Sequence, residues 1–261
     1  MLHAVLSNAT HPEYGAVTLP FPIPREDFGH CIELLEALEI GKVSTQDCHV
    51  DEINSKWPIL GRLEGTNVDL DELDYLAKRL DSFDDGEATQ FQAMTEALDL
   101  TDMKDLINLT FCCQQTTVIT DFSDLETVGR DHYMNTHGGC ARVQELEALD
   151  GTETAILLID GGGGRVTRYG VVYDNGMKLD QSYDGRHFPG YLYEPPMLMV
   201  ALTSRMEPED TKNITWLYLP AAKEQLKRGM GRSGIDDPEN MRFRFVECMS
   251  VSYTHLTLPT S

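Results

Sequence analysis

The sequence predicts an α+β fold: an elongated, multi-domain chain in which small antiparallel sheets with single helices surround an acidic block of three helices. Two patterns lead to this expectation. Short apolar or alternating segments, typical of strands, occur toward both ends of the chain, and stretches with leucines at helical spacing lie between them. With 261 residues, of which 41% are hydrophobic, the chain is long enough for two domains or three small ones.

The first predicted unit covers residues 1–62. Residues 2–7 and 16–21 have the pattern of two strands, and a proline-rich segment leads from them into a helix that ends at Gly41. Residues 42–53 then return as a strand. The predicted buried stripe of the helix consists of Phe28, Ile32, Leu35 and either Leu38 or Ile40.

The acidic block is predicted over residues 63–115. Between residues 64 and 105 the sequence has 13 acids and three bases, a net charge of −10. Three apolar stripes at helical spacing predict three short amphipathic helices that turn their carboxylates outward. The stripes are Leu73, Leu76, Ala77 and Leu80, then Phe91, Met94 and Leu98, then Met103, Leu106 and Ile107.

The acids of this block have two interpretations. Asp69, Asp84 or Asp85, and Thr101 with Asp102 stand where helix caps and first turns favour oxygen acceptors and negative charge, so about half of the acids have a structural explanation. Capping does not explain the shortage of bases, because like charges at this density weaken the folded state. B-DNA carries roughly 15 charges over 25 Å, a density of the same order, so phosphate mimicry is physically possible.

The next predicted unit, residues 116–140, is a strand followed by a helix. Residues 116–121 have the strand pattern, and Ser123 with Glu126 forms a predicted capping box for a helix over residues 124–133. The sequence HGGC at residues 137–140 indicates a break.

A β-rich region is predicted over residues 150–195. Its strands are expected at residues 155–160, 166–173 and 177–183, with an Asp-Asn-Gly hairpin turn between the last two. The four glycines at 161–164 lack the lysine and hydroxyl residue of a phosphate loop, so they are interpreted as a hairpin turn.

Residues 196–250 are predicted to be a partial repeat of the first unit. At a constant offset of 196, residues 2–15 align with residues 198–211, and the same offset places Ile23 and Pro24 on Leu219 and Pro220. The repeat stops before any second acidic block. Residues 251–261 have no acid or base, and we expect them to be a non-native tail on a naturally longer protein.

Other chemistries find little support in the sequence. The six cysteines show no CxxC spacing and are interpreted as reduced core residues, and residues 81–92 lack the charged oxygen ligands of a calcium loop. No cofactor or metal site is predicted. The net charge of −22 argues against nucleic acid or an anionic membrane as partner. With no bilayer-spanning window and no secretory signal, the expected location is cytoplasmic.

A family resemblance adds to these patterns. The order of sheet and helix, the acidic segment DELDYLAKRLDSFDDGE followed by QFQAM, the link DMKDLINL, and the strand and helix VITDFSDLE resemble the ArdA family of antirestriction proteins. The chain is most similar to the longer ArdA-like proteins of mobile elements in Gram-positive gut bacteria. The resemblance covers about residues 1–135. It implies a dimeric protein that imitates bent DNA and occupies the DNA groove of type I restriction-modification enzymes.

The sequence thus leads to a binding function without turnover, in which carboxylates replace DNA phosphates at a basic protein surface. Two alternatives remain open: an acidic interaction domain for another basic partner, and a hydrolase or metal-dependent enzyme with a site around Asp160, Asp174 and His187. The candidate phosphate-mimicking residues are Asp71, Glu72, Asp74, Asp81, Asp84, Asp85, Glu87, Asp99 and Asp102.

Overall fold

The N-terminal unit is a four-stranded antiparallel sheet with one helix across it. The structure, a computed structural model, describes residues 2–190, 198–208 and 212–248. The sheet has the order β2-β1-β3-β4, and the predicted helical stripe is buried. The elements are β1 (Leu2–Ser7), β2 (Ala16–Phe21), α1 (Phe28–Ala37), β3 (Cys48–Ser55) and β4 (Asn67–Val68), with short 3-10 helices at Pro12–Tyr14 and Pro58–Leu63.

The acidic block contains the three helices expected from its stripes: α2 (Leu70–Asp81), α3 (Asp85–Ala97) and α4 (Met103–Leu109). The stripe residues are buried except Leu98, which is half-buried. Each helix begins after an aspartate whose carboxylate accepts backbone N–H bonds: Asp69, Asp84 and Asp102. One hydrophobic core runs from β1 through these helices, so it crosses residue 62, where the sequence predicted a boundary.

The segment after the block is more helical than predicted. A 3-10 helix at Cys113–Gln115 leads into a three-stranded antiparallel sheet of order β5-β7-β6. The elements are β5 (Thr117–Ile119), α5 (Leu125–Thr136), α6 (Val143–Ala148), α7 (Gly151–Asp160), β6 (Arg165–Thr167) and β7 (Gly170–Tyr173).

The predicted strand at residues 155–160 was wrong, because this apolar run belongs to α7. Asp150 caps the helix by accepting from Glu153 N, and α7 packs on α5 where Gly129 and Gly151 let the two backbones meet. A short apolar run can form either a helix or a strand, and the element it packs against determines which one forms. The glycines at 161–164 consequently link a helix to β6 instead of forming a hairpin.

The predicted strand at residues 177–183 was also wrong. The turn itself forms, with positive φ at Asn175 and Gly176, but the chain then runs along the acidic block without a strand partner. The side chain of Asn108 binds both backbone groups of Tyr183. Its Nδ2 donates to Tyr183 O at 2.9 Å, and its Oδ1 accepts from Tyr183 N at 2.9 Å. A side-chain amide therefore replaces a strand partner.

The capping residue of α5 also differs from the prediction. Asp124 caps this helix by accepting from Thr127 N at 3.1 Å. Ser123 instead bonds Asp121, and Glu126 bonds Arg130. The helix is therefore one residue shorter at its start and three longer at its end than predicted.

The C-terminal unit has the same element order as the first one. Its sheet order, β9-β8-β10, corresponds to β2-β1-β3, with a helix after the second strand in both units. The elements are β8 (Leu198–Ser204), β9 (Thr215–Leu219), α8 (Lys223–Arg232), a 3-10 helix at Pro238–Asn240 and β10 (Met241–Glu247).

The strand register corrects one part of the repeat alignment. Leu2 pairs with Phe21 and Leu198 with Leu219, and each second-strand residue is followed by a proline after a cis peptide bond. Leu219 therefore corresponds to Phe21 rather than to Ile23. Residues 209–211 and the expected non-native tail at 251–261 lie outside the described residues. In the described parts of the chain, no helix has both the length and the apolarity to span a membrane.

Candidate interaction surface and an internal ion-pair cluster

Six of the nine predicted phosphate-mimicking residues lie at the ends of the helices of the acidic block, on the protein surface. All are exposed except Glu87, which is half-buried. We call this set the carboxylate surface: Asp81 at the end of α2, Asp84, Asp85 and Glu87 at the start of α3, Asp99 after α3, and Asp102 before α4.

Capping fixes the orientation of several of these carboxylates. Asp84 Oδ1 accepts from Glu87 N at 2.8 Å, and Glu87 Oε2 accepts from Asp84 N at 3.1 Å, which is a reciprocal capping box. Asp102 Oδ1 accepts from Lys104 N at 2.9 Å. A helix N-terminus favours negative charge, and these hydrogen bonds hold the carboxylates in place.

Two bases of the acidic block, Lys78 and Arg79, have partners within the block. Lys78 Nζ pairs with Asp74 Oδ2 at 2.6 Å. Arg79 donates to Thr110 O at 2.7 Å, and its guanidinium lies 4.3 Å from the centre of the Phe111 ring. Within the described residues, no ion pair involves Asp84, Asp85, Glu87 or Asp102. Asp99 pairs with Arg62 at 2.8 Å, yet its side chain stays 88% exposed.

Three predicted residues, Asp71, Glu72 and Asp74, do not lie on the outer face, which corrects the prediction. Asp71 accepts from Arg228 Nε and, at 2.9 Å, from Arg232 Nε. Asp74 Oδ1 accepts from Ile23 N at 2.7 Å. These carboxylates are occupied within the protein and are not available to a partner.

Glu72 is the third inward-facing carboxylate. Its Oε1 accepts from Tyr183 OH at 2.8 Å, whereas its Oε2 is buried and has no hydrogen-bond partner among the described residues. Burial raises the pKa of Glu72 to about 7, although the Tyr183 hydrogen bond acts in the opposite direction. Burial and the nearby Glu72 carboxylate also raise the pKa of Tyr183.

The arginines that bind Asp69 and Asp71 come from α8, far away in sequence. Together these four residues form the ion-pair cluster. Arg232 Nη2 donates to Asp69 Oδ1 at 2.6 Å, and Arg228 Nη1 donates to Gly41 O at 2.7 Å. Burial alone would raise the pKa of Asp71, but the two guanidinium groups outweigh burial and lower it. Sequence reasoning missed both arginines. Their spacing of four residues puts them on one face of α8, but nothing in that spacing identifies their partners.

The cysteines divide into two groups. Cys31, Cys48, Cys112 and Cys113 are buried, as predicted, and burial raises the pKa of each thiol, which makes them poor nucleophiles. Cys140 is exposed and Cys248 half-buried, so the prediction that all six are core residues was wrong.

The structure does not bring together the three residues considered for an enzymatic site. Asp174 pairs with Arg165 at 3.2 Å, His187 Nδ1 lies 2.9 Å from Asp184 Oδ2, and Asp160 is exposed at the end of α7. No hydrogen bond or ion pair between described residues joins Asp160, Asp174 and His187. Within residues 2–190, 198–208 and 212–248, no group of three or more His, Cys, Asp or Glu side chains is arranged to hold a metal ion.

Comparisons with protein-family models, with curated proteins and with solved structures find no match to this chain. The function is therefore inferred from the geometry of the chain itself. The α+β fold and the carboxylate surface define an acidic protein with a group of exposed carboxylates at the ends of its helices.

Proposed function

We propose that this protein is an antirestriction protein that occupies the DNA-binding groove of a type I restriction-modification enzyme by imitating DNA phosphates. The observation that supports this most directly is that Asp84, Asp85, Glu87 and Asp102 have no ion pair among the described residues, while Lys78 and Arg79 have partners within the block. Lysines and arginines that hold phosphates in such a groove would bind these carboxylates instead. The mechanism is competition, and it needs no cofactor and no turnover.

The structure revises which residues act in this proposal. Asp71, Glu72 and Asp74 stabilise the fold from inside, while Asp81, Asp84, Asp85, Glu87, Asp99 and Asp102 form the binding set. Affinity arises from the summed field of several groups, so removing one charge changes it little and removing several changes it steeply.

The test is inhibition of DNA cleavage by a purified type I enzyme. The variant Asp84→Asn, Asp85→Asn, Glu87→Gln removes three charges but keeps side chains that can cap α3. We expect at least a tenfold loss of inhibition, about 1.4 kcal/mol or more of binding free energy. The matched control is Asp236→Asn, Asp237→Asn, Glu239→Gln in the C-terminal unit, where all three residues are exposed and Asp237 also caps a helix.

Equal inhibition by the two folded variants would exclude the carboxylate surface as the binding site. If neither the wild type nor the variants inhibit the enzyme, the second candidate applies: an acidic domain that binds a different basic partner through the same surface. That candidate predicts that a pulldown from a bacterial lysate recovers a basic protein with the wild-type chain and the control variant, but not with the α3 variant.

A further inference from the structure

A pocket of about 450 Å³ lies where the first unit, helix α2 and the C-terminal unit meet. The first unit contributes Arg25 and Phe28, α2 contributes Tyr75, and the C-terminal unit contributes Trp216 and Arg228. Ligand sites commonly have this size and lie between structural units. The carboxylate surface contributes no residue to this pocket, so the pocket has no part in the proposed mimicry.

The acids in the pocket wall are already neutralised. Asp71 binds Arg228 and Arg232, and Asp74 binds Lys78 and the backbone N–H of Ile23. Arg25, by contrast, is exposed and has no ion pair within the described parts of the chain. The pocket is therefore locally cationic within a protein of net charge −22.

Arg228 has an unused donor group at this site. The residue is only 9% exposed. Its Nε and Nη1 donate to Asp71 and Gly41, but its buried Nη2 has no hydrogen-bond partner among the described residues. Because Nη2 is closed to solvent, Arg228 contributes positive charge to the pocket wall, and the exposed Arg25 is the guanidinium that a ligand can reach.

The remaining wall is aromatic and rigid. Phe188 stacks on Tyr75 with ring centres 4.7 Å apart and on Tyr183 with centres 4.9 Å apart. The guanidinium of Arg232 lies 4.4 Å from the Phe188 ring centre. Phe28 and Trp216 add two further aromatic side chains to the pocket. Such a wall favours a flat ring, since offset stacking adds to the free energy of burial.

From this combination we propose that the pocket binds a small aromatic anion, a molecule with one ring system and one carboxylate or phosphate group. The anionic group pairs with Arg25, while the ring packs against the aromatic wall. The same chemistry is found in two sources, aromatic carboxylic acids and nucleoside monophosphates. This binding is independent of the antirestriction proposal.

Calorimetric titration of the full chain distinguishes the two sources. The probes are indole-3-acetate and adenosine 5′-monophosphate, each compared with its uncharged counterpart, indole-3-acetamide and adenosine. We expect one of the anions to bind at least tenfold more tightly than its uncharged counterpart, and the anion that binds identifies the source. Absence of binding by both anions at millimolar concentration, or equal affinity for charged and uncharged probes, overturns the proposal.

A pair of variants tests the location. Arg25→Gln should weaken binding of the anion about tenfold, the loss of one charge-assisted contact, and leave the uncharged probe unaffected. The control is Arg244→Gln on β10, an exposed arginine outside the pocket. Arg228 itself is left intact because its removal would also deprive Asp71 of a partner. Equal affinities of the two variants for the anion would contradict this site.

Discussion

The carboxylate of Asp71 lies between two guanidinium groups, and these ion pairs join α8 to α2. The Arg232 side chain is 4% exposed and binds both Asp71 and Asp69. Charges removed from water in this way are stable only while each keeps its partner, because an unpaired buried charge loses its hydration without compensation. The cluster therefore acts as a unit.

At this scale we expect Arg232→Met to destabilise the protein by about 3–5 kcal/mol, since it leaves Asp69 without its cation and Asp71 with only one. Urea denaturation followed by circular dichroism measures the change. Arg244→Met, at an exposed position of β10, is the control and should change stability by less than about 0.5 kcal/mol. A loss below about 1 kcal/mol for Arg232→Met would show that the cluster does not hold α8 in place.

Glu72 makes stability depend on pH. Its pKa is about 7 in the folded chain against an ordinary value of 4.5, so between these pH values the folded state keeps a proton that the unfolded state releases. The stabilisation from this group is complete at pH values below its ordinary pKa and is lost as pH rises through the folded pKa.

We therefore expect Glu72→Gln, which imitates the protonated group and can still accept from Tyr183, to be more stable than wild type at pH 8 by on the order of 1–3 kcal/mol. At pH 5 the two proteins should differ much less. Urea denaturation at both pH values measures this, with the exposed Glu239→Gln as control. An equal difference in stability between Glu72→Gln and wild type at the two pH values would contradict a raised pKa of Glu72.

At the scale of the element, α5 and α7 depend on a close approach of two backbones. A Cβ added at Gly129 would lie 1.8 Å from Gly151 O, and one added at Gly151 would lie 2.3 Å from Glu126 O. Backbone atoms cannot rotate away as the end of a side chain can, so the helices would have to separate. The apolar residues 155–160 are therefore held as a helix by a contact that needs glycine on both sides.

We expect Gly129→Ala to cost about 1–3 kcal/mol, the usual effect of overpacking. The loss should be local, with faster amide hydrogen exchange in α5 and α7 and unchanged exchange in β1 and α2. Gly61→Ala is the control, because a Cβ at Gly61 has no neighbour within 4 Å. Unchanged hydrogen exchange in α5 and α7 would mean that a methyl group at Gly129 does not destabilise the two helices.

At the scale of the whole molecule, two units of the same strand order both contact the acidic block. The first unit contacts α2 through β2, and α8 of the C-terminal unit contacts it through the arginine pairs. The acids of the block thus form two groups: an inner group, in which Asp69 and Asp71 pair with arginines of α8, and the outer carboxylate surface. The first group serves stability, and in our proposal the second serves binding.

Because salt screens exposed charges more than buried pairs, the two groups should respond differently to ionic strength. Between about 0.05 M and about 0.5 M salt, inhibition of the type I enzyme should fall steeply. The melting temperature should stay constant or rise, since salt also screens the repulsion within a chain of net charge −22. A melting temperature that falls in parallel with inhibition would show that the outer acids stabilise the fold instead.

The sequence by itself determined the features that arise from neighbouring residues. The stripes of Leu73, Leu76 and Leu80, the cap at Asp69 and the α+β class follow from periodicity and from local hydrogen bonding, and the structure confirms them. The sequence left the cap of α3 open between Asp84 and Asp85, and the structure assigns it to Asp84. The repeated strand and helix order was also visible in the sequence, although the two-residue shift in β9 was not.

Only the tertiary structure decided which acids face solvent and which apolar runs become helices. A helical pattern identifies one buried stripe, but α2 is covered on further sides by α8 and by the segment around Tyr183, so Asp71, Glu72 and Asp74 lie inside. Their partners are more than 100 residues away in sequence, except the nearer Ile23 and Lys78 of Asp74. Residues 155–160 became helical because α5 offers a glycine for close approach. Such contacts depend on how distant elements pack, which local periodicity does not record.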